Sequence, residues 1–427
     1  MATVTFEGPA GISEVDLLET GEHDRFAHNL MLVFELRGEL DEDRLADAVR
    51  RLGARHESFR TAFQRTAAGW RRLVYDTSSF DLTRIDLTAE ADPEAAARTR
   101  ALAMFRTPFD RAEPHLIRTV LLQLAAGRRW LICHCDHVAL DGVAFANCIT
   151  ELVATYVLLS QGLAPVLAPA MQPREYVATV DAILAPLRSG PTPWPEPSLA
   201  AGSFFRPDAT RPGGSDPAGA RAFVALGDPD AIDALAKARG VGRAAPIVAA
   251  MALALCDRMA RPEVAFTLIR SGRRDAASRG LVGCVAWGDA FGVRISEDDP
   301  LSAVLARADE FLGDTAPWRM LYIPAVDPPS RRVVLNVNRY SSALSLPGLT
   351  VFPRLDVSPE VRMWSTHDLL VQIFPVPGAL QAVLRYRASL FEPATMDRFG
   401  AVMAAALRAL LQDPAATVRS VLRGVSA

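Results

Sequence analysis

Blocks of like charge are missing from this sequence. Its 46 basic and 49 acidic side chains leave a formal charge of −3 and are spread along the chain. Without a long basic block, neither nucleic acid nor an anionic membrane surface is favoured as a partner. No apolar run reads as long as a membrane span. The N-terminus, MATVTFEGPAG, lacks the charged-then-apolar order of a secretion signal. These absences lead us to expect a cytoplasmic protein with no membrane partner. Cysteine is sparse as well. Cys133, Cys135, Cys148, Cys256 and Cys284 are odd in number and lack the spacing of a disulfide framework, so free thiols in a reducing compartment are the simpler reading. No CxxC or HxxxH pair stands elsewhere to complete a metal site. A short internal repeat is also absent.

What is present is a chain of 427 residues, half of them hydrophobic. That is too long for one ordinary core and suits two lobes with a cleft. Met31–Leu36 reads as a strand. Asp41 can cap a helix in which Leu45, Ala48, Val49 and Leu52 recur at helical spacing. SFRTAFQ and GWRRLVYD read as strands and Pro93–Phe105 as a helix. HLIRTVLLQL and RRWLICHCDHV, joined by AAGR, read as a hairpin. VAFANCITELVATYVLLSQ reads as a long, mostly buried helix. Eleven of the thirty prolines fall between Gln161 and Ala220, which marks a linker with one helix near Glu175–Leu187. Beyond it, Asp228 is a helix cap, Pro229 suits the first turn and Gly240 the stop. A helix at Pro246–Met259, strands at Val264–Arg270, VVLNVN (333–338), LLVQIF (369–374) and LQAVLRYRA (380–388), and a closing helix over about Pro393–Leu411 complete the pattern. The expected architecture is α/β (α+β) in two lobes, 1–165 and 221–427, around a Pro/Gly-rich linker at 166–220.

Polar chemistry concentrates in HCDHVALDG at 134–142, where a strand passes into a helix. Four readings compete there. A metal site would use Cys133, Cys135 and His137 on one strand face, but residues two apart on one strand chelate a tetrahedral ion poorly. A nucleophile pair would set Cys135 beside His137, although cysteines in an apolar strand are more often inert packing. A core histidine with Asp141 as a helix cap is the bland alternative. The fourth is proton transfer. His137 at the strand's end would accept a proton from a hydroxyl or amine, Asp141 would hold the turn, and the Gly142 N–H at the helix's positive end would stabilise an oxyanion.

DHVALDG resembles the HHxxxDG motif of nonribosomal peptide synthetase condensation domains, and HxxxD marks the wider superfamily of chloramphenicol acetyltransferase-like acyltransferases. The segments around it resemble that family in order: ELRGELDEDRLADAVRRLGARHESFRTAF (35–63), FDRAEPHLIRTVLL (109–122), VAFTLIRSGRRDAASRGLVGCVAWGDAFGVRI (264–295), VVLNVN (333–338) and HDLLVQIF…LQAVLRYRASLFEPATMDRF (367–399). The resemblance implies two chloramphenicol-acetyltransferase-like lobes in a V-shaped pseudo-dimer with a tunnel between them. It implies His137 as the base or positioning group and Asp141 as a mainly structural carboxylate, tied to Arg273 of SGRR. It implies, as donor substrate, an acyl or aminoacyl group on the phosphopantetheine arm of an acyl or peptidyl carrier protein. The acceptor would be a small amine or alcohol, with no bound cofactor, no metal and no covalent acyl-enzyme. A monomer is expected.

The chain departs from that pattern in three places. Asp136 stands where the first His of the motif is usual, a position that is largely structural in the family. The family's pocket Asn has no clear match, with Trp287 and Asp289 near its place. No adenylation or carrier segment is attached, so a free-standing enzyme supplied by other proteins is expected. Asn336 and Trp364 are further pocket candidates, Arg55-His56-Glu57 a structural corner, and His134 a packing or surface residue. Arginines (Arg50, Arg51, Arg55; Arg270, Arg273, Arg274) offer either a dock for an acidic carrier or a solvated face. Two alternatives to carrier-dependent transfer are an acyl-CoA-dependent acyltransferase and a recruitment module that binds carriers without turnover.

Overall fold

The computed structural model describes residues 2–21, 28–188, 205–209, 218–321, 332–338, 344–346, 348–357, 363, 366–376 and 378–426. Its described residues form two compact units. The first comprises Met1–Ile183, Ser271–Ala286 and Ser342–Glu360; the second comprises Leu184–Arg270, Trp287–Ser341 and Val361–Ala427.

The first unit opens with β1 (Val4–Pro9) and α1 (Ile12–Thr20), then β2 (Asn29–Gly38) and α2 (Glu42–Arg55). The Asp41 side chain accepts from the Arg44 amide at 3.0 Å, and the expected stripe of Leu45, Ala48, Val49 and Leu52 is buried. β3 (Thr61–Thr66) and β4 (Gly69–Tyr75) join β1 in a three-stranded sheet ordered β1-β4-β3. β5 (Leu82–Asp86), α3 (Pro93–Phe105, capped by Asp92), β6 (Ile117–Ala125), β7 (Arg128–Asp136) and α4 (Gly142–Ser160) follow. The β6–β7 hairpin is antiparallel, as its sequence predicts. α5 (Pro173–Arg188) matches the helix expected near Glu175–Leu187; most of the remaining Pro-rich linker lies outside the described residues.

Contiguous lobes are not what forms. β12 (Leu344–Leu346) and β13 (Leu349–Pro353), from the C-terminal half, extend the first unit's sheet into the order β12-β13-β2-β7-β6-β5. β13 pairs antiparallel with β2, Leu349 opposite Gly38 and Pro353 opposite Phe34. Arg354, just past β13, reaches Glu35 of β2 at 2.6 Å, Glu94 of α3 at 2.8 Å and Asp356 at 2.9 Å. Its guanidinium lies 4.7 Å from the Trp130 ring. An edge strand and a shared ion network hold this segment to a unit remote in sequence, a pairing that local patterning cannot encode.

α4 corrects two expectations. Only one of its faces is buried, through Ala144, Phe145, Cys148, Leu152 and Thr155, rather than most of it. At 19 residues with a mean hydropathy of 1.6 it is, by length and composition, long and apolar enough to span a membrane. Glu151 near its middle, ion-paired with Arg55 at 2.7 Å and hydrogen-bonded to His56 at 2.9 Å on α2's end, fits instead a helix packed on α2.

The second unit has its own six-stranded sheet. In spatial order it runs β10 (Trp287–Arg294), β9 (Glu263–Arg270), β11 (Val333–Val337), β14 (Leu369–Val376), β15 (Ala379–Arg387) and β8 (Gly219–Gly227). α6 (Pro229–Arg239), α7 (Ala245–Met259), α8 (Leu301–Gly313), α9 (Pro393–Gln412) and α10 (Val418–Ser426) complete it. Asp228 caps α6 and Gly240 ends it at φ +67°, a left-handed value that favours glycine. α7 is buried from Ala245 to Cys256 and packs with Phe266, Phe291, Leu335, Ile373, Phe399 and Met403 in one continuous core. Each unit thus sets helices on a mixed six-stranded sheet.

Candidate active site

The motif forms where a buried strand meets a capped helix. β7 lies between β2 and β6, and every side chain from Trp130 to Asp136 is buried. The strand ends at Asp136, so His137 stands in the following turn rather than on the strand face shared by Cys133 and Cys135. That turn is tied down by the main chain. The His137 N–H donates to the His28 carbonyl at 2.8 Å, and the Ala139 N–H to the Asp136 carbonyl at 3.0 Å. Asp136 Oδ1 accepts the Val138 N–H at 3.0 Å.

Asp141 begins α4. Its Oδ1 accepts the Ala144 N–H at 2.8 Å. Its Oδ2 accepts from Arg273 Nη1 at 2.9 Å, the Val285 N–H at 2.9 Å and the Ala286 N–H at 3.0 Å. The two charged side chains are only 1% and 3% exposed. Arg273 Nη1 also donates to the Ser271 carbonyl at 2.9 Å, and its Nη2 donates to the carbonyls of Leu281 at 2.9 Å and Gly283 at 3.4 Å. Gly272 makes this approach possible: its φ is +71°, and a Cβ there would run into the Val285 carbonyl. The Asp141 side chain therefore joins the α4 N-terminus to the segment 271–286 by three hydrogen bonds, one of them also the ion pair with Arg273. A buried carboxylate needs that degree of compensation.

His137 is half-buried. Burial lowers its pKa below the ordinary histidine value, against the opposing pull of the Asp141 and Asp136 carboxylates and the nearby carbonyls of His137 and Leu140. The imidazole is accordingly neutral at pH 7 and able to take a proton. Gly142 is the first residue of α4, one of the positions where a helix leaves a backbone N–H outside its own ladder.

The other predicted residues separate clearly. Asp136, His137, Asp141, Gly142 and Arg273 come together in the first unit. Trp287 and Asn336 belong to the second: Trp287 opens β10 with its ring nearly buried, and Asn336 is half-buried on β11 opposite Gln372 of β14. Trp364 lies outside the described residues. Asp289, near the place of the missing Asn, is 3% exposed and held by Arg270 at 2.5 Å and Arg319 at 2.9 Å, so it is occupied within the fold. Arg55-His56-Glu57 is a corner: Arg55 and His56 pair with Glu151, and buried Glu57 pairs with Arg72 at 3.0 Å. His134 is wholly buried, its ring 4.7 Å from that of Phe109, and burial drops its pKa to about 3.

Burial raises the pKa values of Cys133, Cys135 and Cys148, which disfavours the thiolate that nucleophilic attack requires. Among the described residues no three His, Cys, Asp or Glu side chains gather closely enough to hold a metal ion. A cavity of about 340 Å³ between α2, α4 and the 165–167 stretch is lined by Arg51, Leu52, Arg55, Glu151 and Thr155 among others, and by none of the motif residues. Sequence reading missed Arg111, which holds Asp136, and the two amides of Val285 and Ala286; no spacing signals either.

Comparison with known proteins places this geometry. Residues 17–186 match the condensation domain family. Chondramide synthase cmdD of Chondromyces crocatus is 24% identical over 97% of this chain, which spans 11% of that synthase's length. The first condensation domain of the calcium-dependent antibiotic synthetase, solved with a substrate analogue, superposes with a TM-score of 0.76 at 20% identity, over 98% of this chain and 99% of that one. A starter condensation domain of rhizomide synthetase, solved as a mutant in complex with C8-CoA, superposes with a TM-score of 0.76 at 16% identity, over 97% of each chain. The segment that carries the motif thus matches the condensation domain family, and the chain as a whole has the fold of solved condensation domains.

Proposed function

We propose that this protein transfers an acyl or aminoacyl group from a carrier-protein thioester to a small amine or alcohol in natural-product biosynthesis, in the cytoplasm. The acceptor's nitrogen or oxygen attacks the thioester carbon. His137 Nε2 or Nδ1 takes the acceptor's proton and returns it to the departing pantetheine thiolate as the tetrahedral adduct collapses to an amide or ester. The Gly142 N–H, at the positive end of α4, steadies the adduct's oxyanion. Asp141 and Arg273 hold the turn and the helix start in register and take no proton.

The observation that carries this reading is a half-buried imidazole in the turn between a buried strand end and a carboxylate-capped helix. The condensation-domain match and the fold support it. The test incubates the protein with acetyl-, octanoyl- and alanyl-loaded carrier proteins and a panel of amines and alcohols, with mass detection of amide and ester products. His137→Ala is expected to keep the fold and lose about 10²–10⁴ in turnover. Parental turnover by that variant would remove His137 from the chemistry. A second donor reading, acyl-CoA, is favoured by the rhizomide starter domain's complex with C8-CoA. The same panel with octanoyl-CoA separates the two donors by rate. Donor binding without product from any pair would leave a recruitment module.

A further inference from the structure

Asp136 puts a carboxylate beside His137 where the related motif has a first histidine, and a buried carboxylate demands a cation. That cation comes from the connection between α3 and β6. Arg111 Nε lies 2.7 Å from Asp136 Oδ2, and its Nη2 lies 3.4 Å from Oδ1. The two side chains are 13% and 2% exposed. The guanidinium also donates to the Leu18 carbonyl of α1 at 3.4 Å. Gly21 leaves it room, since a Cβ there would stand 2.6 Å from Nη2. The Arg111 main chain is itself anchored, its carbonyl accepting from the Phe63 N–H at 2.7 Å. Asp136 passes this anchoring on. Its N–H donates to the Leu116 carbonyl at 3.0 Å, its carbonyl accepts from Ala139 at 3.0 Å, and its side chain accepts from Val138 at 3.0 Å. The carboxylate that Arg111 grips belongs to the residue before His137 and accepts the N–H of the residue after it.

We infer that Arg111 is a positioning residue: through Asp136 it fixes the turn that presents His137, while touching no substrate itself. The inference deepens the preceding reading of His137 and rests on it. The mechanism is mechanical and electrostatic together. Without the guanidinium, Asp136 is a buried anion that must draw in water, and that loosens the bonds around His137. The two carboxylates that act on the imidazole are each paired with a guanidinium, Asp141 with Arg273 and Asp136 with Arg111. Breaking the second pair on either side must shift the imidazole's proton affinity in opposite directions.

Three variants test this: Arg111→Met, Arg111→Lys and Asp136→Asn. Turnover is measured with the fastest carrier–acceptor pair of the panel above, and the His137 pKa by NMR titration of the ring in the ligand-free protein. Arg111→Met is expected to lose about 10–100-fold in kcat, as a misplaced catalytic group does, with KM moved less than about threefold. Its His137 pKa rises, because Asp136 is no longer neutralised. In Asp136→Asn the same pKa falls, because Arg111 is left unopposed. Arg111→Lys, which keeps the charge, recovers most of the turnover. Parental kcat and an unmoved His137 pKa in folded Arg111→Met overturn the inference. If Arg111→Met does not fold, the double variant Arg111→Met/Asp136→Asn, which leaves no unpaired charge, decides: reduced kcat in a folded protein supports the inference and parental kcat overturns it. Failure here is distinct from failure of the catalytic reading, which His137→Ala reports alone.

Discussion

Arg273→Met is the perturbation whose size follows most directly from the structure. The substitution keeps a long apolar stem and removes the guanidinium from a pair whose members are 1% and 3% exposed. Deleting one partner of such a pair costs about 3–5 kcal/mol, because the other charge stays buried without its counter-ion. Here Asp141 retains three backbone donors and the start of α4, which places the cost near the lower end, about 3 kcal/mol. Asp141→Ala removes more. It deletes the cap of α4, worth about 1 kcal/mol, and strands the Val285 and Ala286 amides at about 1–3 kcal/mol each. It also strands Arg273, so about 5 kcal/mol is expected in total. The double variant should cost well under the sum, since both single changes break the same pair. At roughly 2–4 °C per kcal/mol for a domain of this size, Arg273→Met should melt about 6–12 °C below the parent. Two units need not unfold together, so hydrogen exchange at the first-turn amides of α4 supplies the local measurement. A cost under about 1 kcal/mol for Arg273→Met, or strict additivity in the cycle, would refute the claim that this pair clamps the motif.

Turnover should fall on acidification with a midpoint below the ordinary histidine value of about 6.5, since the burial-lowered pKa of His137 keeps its basic form populated to lower pH; a midpoint above that value in the kcat/KM profile contradicts the assignment. All five cysteines are buried and free, so a thiol reagent should label the native protein slowly and find five thiols after denaturation; fast labelling of Cys135 would revive the nucleophile reading. His134, buried with a pKa of about 3, must stay neutral to fold, so the unfolded state binds the extra proton as pH falls below the ordinary value. Between pH 7 and 5 this alone removes about 2 kcal/mol of stability, and His134→Phe, set against Phe109, should flatten that slope in urea titrations at pH 5 and 7.

The local grammar of the chain was readable in its residues. Asp41, Asp228 and Gly240 act where their types predict, and Pro93–Phe105 is helical over its predicted range. The β6–β7 hairpin follows from two apolar runs around a four-residue turn. Long-range pairing was not readable. β13 joins β2 across some 310 residues of chain only because an ordered edge strand was available and Glu35 met Arg354 there. The helix α4 misled in a different way. Its near-continuous apolar run reads as buried, yet one face suffices to pack it on α2, and the periodicity of a uniformly apolar helix carries no record of which face that is.

The same division runs through the site. His137, Asp141 and Gly142 were found together because they are local, and Arg273 because the resemblance named it. The resemblance said nothing of Arg111, and no local pattern marks it. Yet the reasoning that asks for Arg273 asks equally for Arg111: each buried carboxylate of the motif requires a cation, and the motif has two, Asp136 and Asp141. A sequence shows the demand and leaves the supplier unnamed, because guanidinium reach is a property of the fold. When a histidine is replaced by an aspartate at a buried position, the replacement therefore predicts a second, distant change. Here the compensating residue sits 25 positions upstream, beside a glycine that makes space for it. The charge of Asp136 is thus neutralised at hydrogen-bond distance, and the same carboxylate holds the Val138 N–H of the turn.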